Sequence, residues 1–206
     1  MERTGLVLVV CAPSGTGKTT LIKMLMHEFS QIGYSTSCTT RSPRHDEVPG
    51  HDYNFVTHEE FHQLQRSGYF AEWADVYGHF YGTPLNPTLD ILRTGKDVLF
   101  DIDVQGAAQL RLTLPVGSYV FILPPSLKIL EERLRKRAQD SEEAIQRRLS
   151  AVRDEVLEAH WFDAWIVNDD LHRTYDALRS VYIAATLAPR RRPLIIRSIL
   201  DGKTAS

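Results

Sequence analysis

Leu6 to Val10 form an unbroken apolar run, the pattern of a strand covered on both faces, and Leu21, Ile22, Leu25, Met26 and Phe29 then recur at helical spacing. The N-terminus therefore reads strand, loop, helix. "DVLFDID" (Asp97 to Asp103), "SYVFIL" (Ser118 to Leu123) and "AWIVN" (Ala164 to Asn168) are further buried-strand patterns. Leu127, Leu130 and Leu134 mark one helix between them, and Ile145, Leu149, Val152 and Val156 mark another, with Asp140 and Glu143 as its start signal. This alternation predicts an α/β fold, a parallel sheet with helices on both faces. From Ser35 to about Pro84 the texture changes to short aromatic runs separated by Gly, Pro and charge, as in a small β-rich lobe inserted into the core. The last stretch gathers Arg190, Arg191, Arg192, Arg197 and Lys203 beside prolines and reads as a loose, solvated tail.

Composition narrows the class without naming the chemistry. A chain of 206 residues with 43% hydrophobic content supplies the core of a soluble globular domain. With 24 basic against 26 acidic residues, the net charge of -2 gives no general attraction to nucleic acid or an anionic membrane. Cys11 and Cys38 read as ordinary thiols and suit a reducing cytoplasm. "GLVLVVCA" is shorter than the ~20 apolar residues of a membrane span, and the glycine-rich loop after it favours a buried strand over a signal segment.

"VTHEEFHQL" contains His58, Glu59 and His62 in a zinc-hydrolase spacing, which on a helix puts both histidines on one face. The same residues have a structural reading. Thr57 and Glu60 form a capping box, Val56 and Phe61 supply the apolar staple, and Gly68 marks the stop of a short helix.

"APSGTGKT", Ala12 to Thr19, fits the phosphate-loop pattern except that alanine opens it. Gly15 and Gly17 allow successive N–H groups to face phosphate oxygens, and the following helix adds its positive end. Lys18 supplies a charge for the β and γ phosphates, and the Thr19 hydroxyl suits Mg²⁺, a hard cation that prefers oxygen and nucleotide phosphates. Asp101 and Asp103 end a later strand, where parallel sheets present ligand groups, so either is a candidate for the metal's shell. A nucleoside triphosphate is the expected ligand.

Arg41 and Arg44, among hydroxyl residues and followed by Tyr53, suit a second phosphate group. In the same lobe Glu72 offers the paired acceptors that match the N1–H and N2–H edge of guanine, and Thr83 is a candidate donor to O6, with Tyr81 beside them.

Taken with "TTRSPR", "GHDYNF", "EWADVYGHFYGT", "DIDVQG", "ILPPS" and "VNDD", the phosphate loop makes the chain resemble the guanylate kinase family over residues 4 to 185. The resemblance implies a P-loop kinase with a parallel sheet core (4–34, 85–125 and 151–185), a GMP-binding lobe (35–84), a helical lid (about 126–150) and a basic tail (186–206). It implies Mg²⁺-dependent transfer of phosphate from ATP to GMP. By position, Ser37, Arg41, Arg44, Tyr53, Glu72, Tyr81, Thr83 and Asp103 are the implied GMP contacts. The implied ATP side is Ala12, Pro13, Ser14, Gly15, Thr16, Gly17, Lys18, Thr19 and Thr20, with Arg133, Asn168 and Asp169; Thr19 and Asp101 are the implied metal groups. Lys18, Arg44, Arg137 and Arg148 are the implied catalytic cations, needed because phosphoryl transfer depends mostly on positioning and electrostatics. Ala12, Asp46 and Ala138 depart from the family's usual glycines without removing a charged or hydrogen-bonding group. A non-catalytic relative that binds proteins would have no need of Lys18 and Thr19, and a sugar-phosphate kinase would not need Glu72 or Thr83.

Overall fold

The computed structural model describes residues 5–45, 47–76, 78–114, 116–136, 142–191 and 194–202. Arg137, Ala138, Asp140, Asp46, Arg192 and Lys203 lie outside these residues.

β1 (Val7–Cys11) is the centre of a five-stranded sheet in the order β2-β7-β1-β8-β9, with β2 (Ile32–Tyr34), β7 (Asp97–Asp101), β8 (Gly117–Leu123) and β9 (Ala164–Val167). Each of its pairings is parallel. Val7, Val9 and Cys11 point into one apolar cluster and Leu8 and Val10 into the other, because side chains alternate along a strand. The first cluster is closed by Val104, Ala107 and Leu110 of α4 (Val104–Thr113) together with Ala159 and Phe162. The second is closed by Leu21, Ile22 and Leu25 of α1 (Lys18–Glu28) and by Leu178 and Tyr182 of α7 (Leu171–Thr186). Burial on both faces is why the core strands read as continuous apolar runs.

The inserted lobe is a second sheet in the order β4-β3-β6-β5, where β3 is Cys38–Thr39, β4 is Asn54–Phe55, β5 is Phe70–Val76 and β6 is His79–Pro84. β5 and β6 form an antiparallel hairpin, with a register shift between Phe70 and Glu72. α2 (His58–Arg66) covers it through Phe61, stacked on Phe70 and Phe80. The capping box at Thr57 and Glu60 is present, and Gly68 lies in the left-handed region at φ 69° just past the helix. α3 (Leu85–Arg93) returns the chain to the core. α5 (Leu127–Lys136) and α6 (Glu142–Glu158) pack on each other through Leu130, Leu134 and Val152.

The C-terminal stretch departs from the loose tail expected of it. A single 3-10 turn at Pro189–Arg191 precedes α8 (Ile195–Leu200), and Arg191 is only 4% exposed. Its Nη2 meets the carboxylate of Asp97 at 3.1 Å, and Asp97 also accepts from Leu6 N and the Tyr182 hydroxyl, each at 2.7 Å. The reason is charge: Asp97 is fully buried at the start of β7, and a buried carboxylate requires donors. Among the described residues no helix is long and apolar enough to cross a membrane.

Candidate functional site

The carboxyl ends of β1, β7 and β9 carry the phosphate loop, Asp101 to Asp103 and Asn168, and β1 has a sheet neighbour on either side. That is the crevice where open α/β sheets bind ligands. The phosphate loop follows β1 directly. Gly15 and Gly17 hold φ of 88° and 98°, left-handed values that disfavour side chains. A Cβ on Gly17 would come within 2.7 Å of Asn168 Nδ2, so the loop is also packed too closely for one. Thr16 is buried and its hydroxyl donates to Pro13 O at 2.7 Å, closing the turn internally. Thr19 and Thr20 are exposed in the first turn of α1, with the hydroxyl of Thr19 at the helix's positive end.

Lys18 Nζ lies 2.7 Å from Asp101 Oδ1 and donates to Ile102 O at 3.2 Å. Burial pulls its pKa down, but the neighbouring acidic groups, Asp101 first, together with the hydrogen bond to Asp101 raise it. Lys18 is thus held as an ammonium over the strand end. Asp103 caps α4 instead, accepting from Gly106 N at 2.8 Å.

A cleft of about 270 Å³ separates this strand end from the lobe. Its walls include Lys18, Asp101 and Asp103 on one side and Ser37, Tyr53, Glu72 and Tyr81 on the other. Glu72 is 4% exposed. Burial pushes its carboxyl up to about 7; the hydrogen bond from Thr83 opposes the rise and the nearby Asp103 charge adds to it. The Thr83 hydroxyl donates to Glu72 Oε1 at 2.5 Å and lies 3.1 Å from Ser37 Oγ. A hydroxyl has one proton, so Thr83 gives it to Glu72 and Ser37 is left to donate to Thr83. A bond from Thr83 to a base oxygen therefore requires this hydroxyl to turn.

Arg41 sits behind the two tyrosines, with Nε donating to the Tyr81 hydroxyl at 3.2 Å and the guanidinium 5.4 Å from the Tyr53 ring centroid. Arg44 is exposed beside it, tied in through its main-chain nitrogen. On the opposite side Arg133 Nη2 donates to Asn168 O at 3.1 Å, joining α5 to the end of β9. The Asn168 amide turns inward and donates to Thr16 O at 2.6 Å, bracing the phosphate loop, and Asp169 pairs with Arg173 at 2.8 Å. Arg148 is half-buried on α6. Arg137 lies outside the described residues.

Four neighbours were not among the site residues expected from the sequence. Tyr34 ends β2 and lines the cleft, its hydroxyl titration raised by burial and then by Asp101. Glu155 reaches the site from α6; burial raises it to about 7, Lys18 opposing and Asp103 adding. Gly106 lies so close to Glu72 that a Cβ would be 2.5 Å from Oε2. Gln109 exchanges two hydrogen bonds with the main chain of Trp73, at 3.2 and 2.7 Å, and so fastens β5 to α4. Each depends on a contact between distant segments, which no local spacing announces.

The histidines of "HEEFH" pack edge-on against Phe80, and His62 Nδ1 meets Gln65 at 3.0 Å. Among the described residues no group of three or more His, Cys, Asp or Glu is arranged to hold a metal. That arrangement disfavours a protein-built zinc centre. It leaves room for a cation bound largely through nucleotide phosphates and water, to which the exposed Thr19 hydroxyl and Asp101 would add hard oxygen atoms.

The guanylate kinase family model matches residues 4–185. The chain is 56% identical over 201 residues to a guanylate kinase of Lawsonia intracellularis, covering 98% of this chain and 95% of that one. It is 59% identical over 201 residues to that of Nitratidesulfovibrio vulgaris, covering 98% and 97%. The crystal structure of guanylate kinase from Anaplasma phagocytophilum superposes with a TM-score of 0.75 at 31% identity, covering 92% and 90% of the two chains. A loop, a cleft and a lobe built in this way, with these matches over nearly all of its length, place the chain in the guanylate kinase family, the ATP:GMP phosphotransferases among the nucleoside monophosphate kinases.

Proposed function

We propose that GMP lies in the cleft with its guanine on Glu72, Ser37 and Thr83 and its phosphate toward Tyr53, Tyr81, Arg41 and Arg44, with Asp103 facing it from the strand end. ATP enters from the other side, its phosphates on the loop from Ala12 to Thr20 and its adenosine toward Arg133, Asn168 and Asp169. The observation that carries this reading is the buried carboxylate of Glu72 across the cleft from Lys18. Ionised, it accepts two parallel N–H bonds, which guanine offers and adenine does not. Lys18 is the group poised to leave Asp101 for the transferring phosphoryl, with Arg44, Arg137 and Arg148 as the further cations of that step.

Mg²⁺, held by Thr19 and through water by Asp101, would supply charge neutralisation at the β and γ phosphates. Residues 4–34, 85–125 and 151–185 serve as core, 35–84 as acceptor lobe and 126–150 as lid, whose closure excludes water as a competing acceptor. The balanced net charge suits small nucleotide substrates in the cytoplasm more than nucleic acid or a membrane surface.

The test is Glu72→Ala, assayed for ADP formation with GMP and with AMP. The expected result is loss of about 10⁴-fold or more of the preference for GMP, the scale on which hydrogen-bond mismatch discriminates. An unchanged preference would remove Glu72 from the base site.

A further inference from the structure

The acceptor lobe contains an anion of its own beside the phosphate-facing groups. Glu47 Oε1 accepts from Arg41 Nη2 at 2.8 Å and Glu47 Oε2 from Arg41 Nη1 at 2.9 Å, a bidentate pair. Oε2 also accepts from the main-chain nitrogen of Arg44 at 2.8 Å. Arg41 Nη1 donates in addition to Ser42 O at 2.7 Å, and Nε donates to the Tyr81 hydroxyl at 3.2 Å. A guanidinium has five N–H donors. Four of them are occupied here, so the side chain is fixed in rotation and the remaining one is on Nη2. Both partners are largely covered, with 14% of the Arg41 side chain and 16% of the Glu47 side chain exposed.

We infer that Glu47 is a positioning residue for the acceptor nucleotide's phosphate, holding Arg41 against Tyr53 and Tyr81 and anchoring the loop that carries Arg44 before GMP arrives. The inference rests on the proposed placement of that phosphate. The opposite role, a resident anion that GMP must displace, fits two observations less well. The cleft is lined by Tyr53 and Tyr81, so a phosphate meets the tyrosine side of the guanidinium and not the edge that Glu47 occupies. Glu47 also holds the backbone of Arg44, so its departure would loosen the loop. Fixing a cation in advance spares the ordering entropy that binding would otherwise cost.

The experiment compares equilibrium binding of GMP and of guanosine, which lacks the phosphate, to the wild type, Glu47→Ala and Glu47→Gln, with steady-state kinetics on each. Glu47→Ala is expected to weaken GMP by about tenfold while leaving guanosine unchanged, the size of one lost charge-assisted contact. KM for GMP should rise in step, with KM for ATP within about twofold. Glu47→Gln keeps one acceptor for Arg41 and should fall between. Unchanged or tighter GMP binding in both variants would overturn the inference. So would a parallel loss of guanosine, which would mark a general collapse of the lobe. Failure of the wild type to phosphorylate GMP would instead defeat the placement of the substrate, and the inference with it.

Discussion

At the scale of single residues, the buried carboxylate of Glu72 carries the clearest consequences. Its raised titration, near 7, means that the form able to accept two guanine donors is complete only above that pH. Guanosine affinity should therefore hold above about pH 8 and fall about tenfold per unit below 7. A flat guanosine profile from pH 6 to 8 would contradict this. The stability sign is the reverse. Between the ordinary value of 4.5 and about 7 the folded chain binds the extra proton, so stability falls as pH rises through that window. Glu72→Gln removes that loss, and a melting temperature above the wild type at pH 8, with the gain gone at pH 4, is the expected outcome in the absence of nucleotide. Lys18, Thr19, Arg41 and Glu72 were legible because each sits in a short motif whose chemistry demands its type. Glu155, Tyr34 and Glu47 were not, because their roles arise only when α6, β2 and the arginine loop are brought to the same cleft.

At the scale of elements, four core strands were legible as apolar runs, since a strand covered on both faces has no polar alternation to confuse it. β2 was not foreseen: three residues that include Gly33 offer too little pattern. α3 was hidden by Pro87, which a helix tolerates in its first turn. α4 was hidden by its small residues, and Gly106 shows their purpose. The helix begins under Glu72, and its capped first turn leaves no room for a Cβ at that point. Gly106→Ala should therefore displace Glu72 and raise KM for GMP by roughly tenfold, with KM for ATP unchanged, although alanine is the better helix former. An unaltered KM for GMP would show that α4 does not set the base site.

At the scale of the whole molecule, the segment read as a loose tail closes the lower end of the sheet, opposite the cleft. Arg191 pairs with Asp97, and their solvent exposure of 5% and 0% for the side chains makes this a buried pair. Removing the guanidinium leaves the buried Asp97 carboxylate with the neutral donors Leu6 N and the Tyr182 hydroxyl but without its opposite charge, so Arg191→Ala should cost about 3 kcal/mol of unfolding free energy, whereas the exposed Arg197→Ala should cost almost nothing. Chemical denaturation of both variants measures the difference; equal stabilities would show that the tail does not hold the core. The basic cluster was misleading because sequence shows charge but not depth, and the acceptor for Arg191 lies 94 residues away. The inserted β lobe, by contrast, was legible, because its short aromatic strands break the alternation of the core. That insertion places Lys18 of the phosphate loop on one side of a cleft and the buried carboxylate of Glu72 on the other. The most direct test is ADP formation by the wild type from Mg-ATP with GMP, AMP, UMP and CMP offered separately. Strong turnover with GMP and little with the other three is the expected result; comparable turnover with AMP, or none with GMP while ATP still binds, would contradict the proposed site.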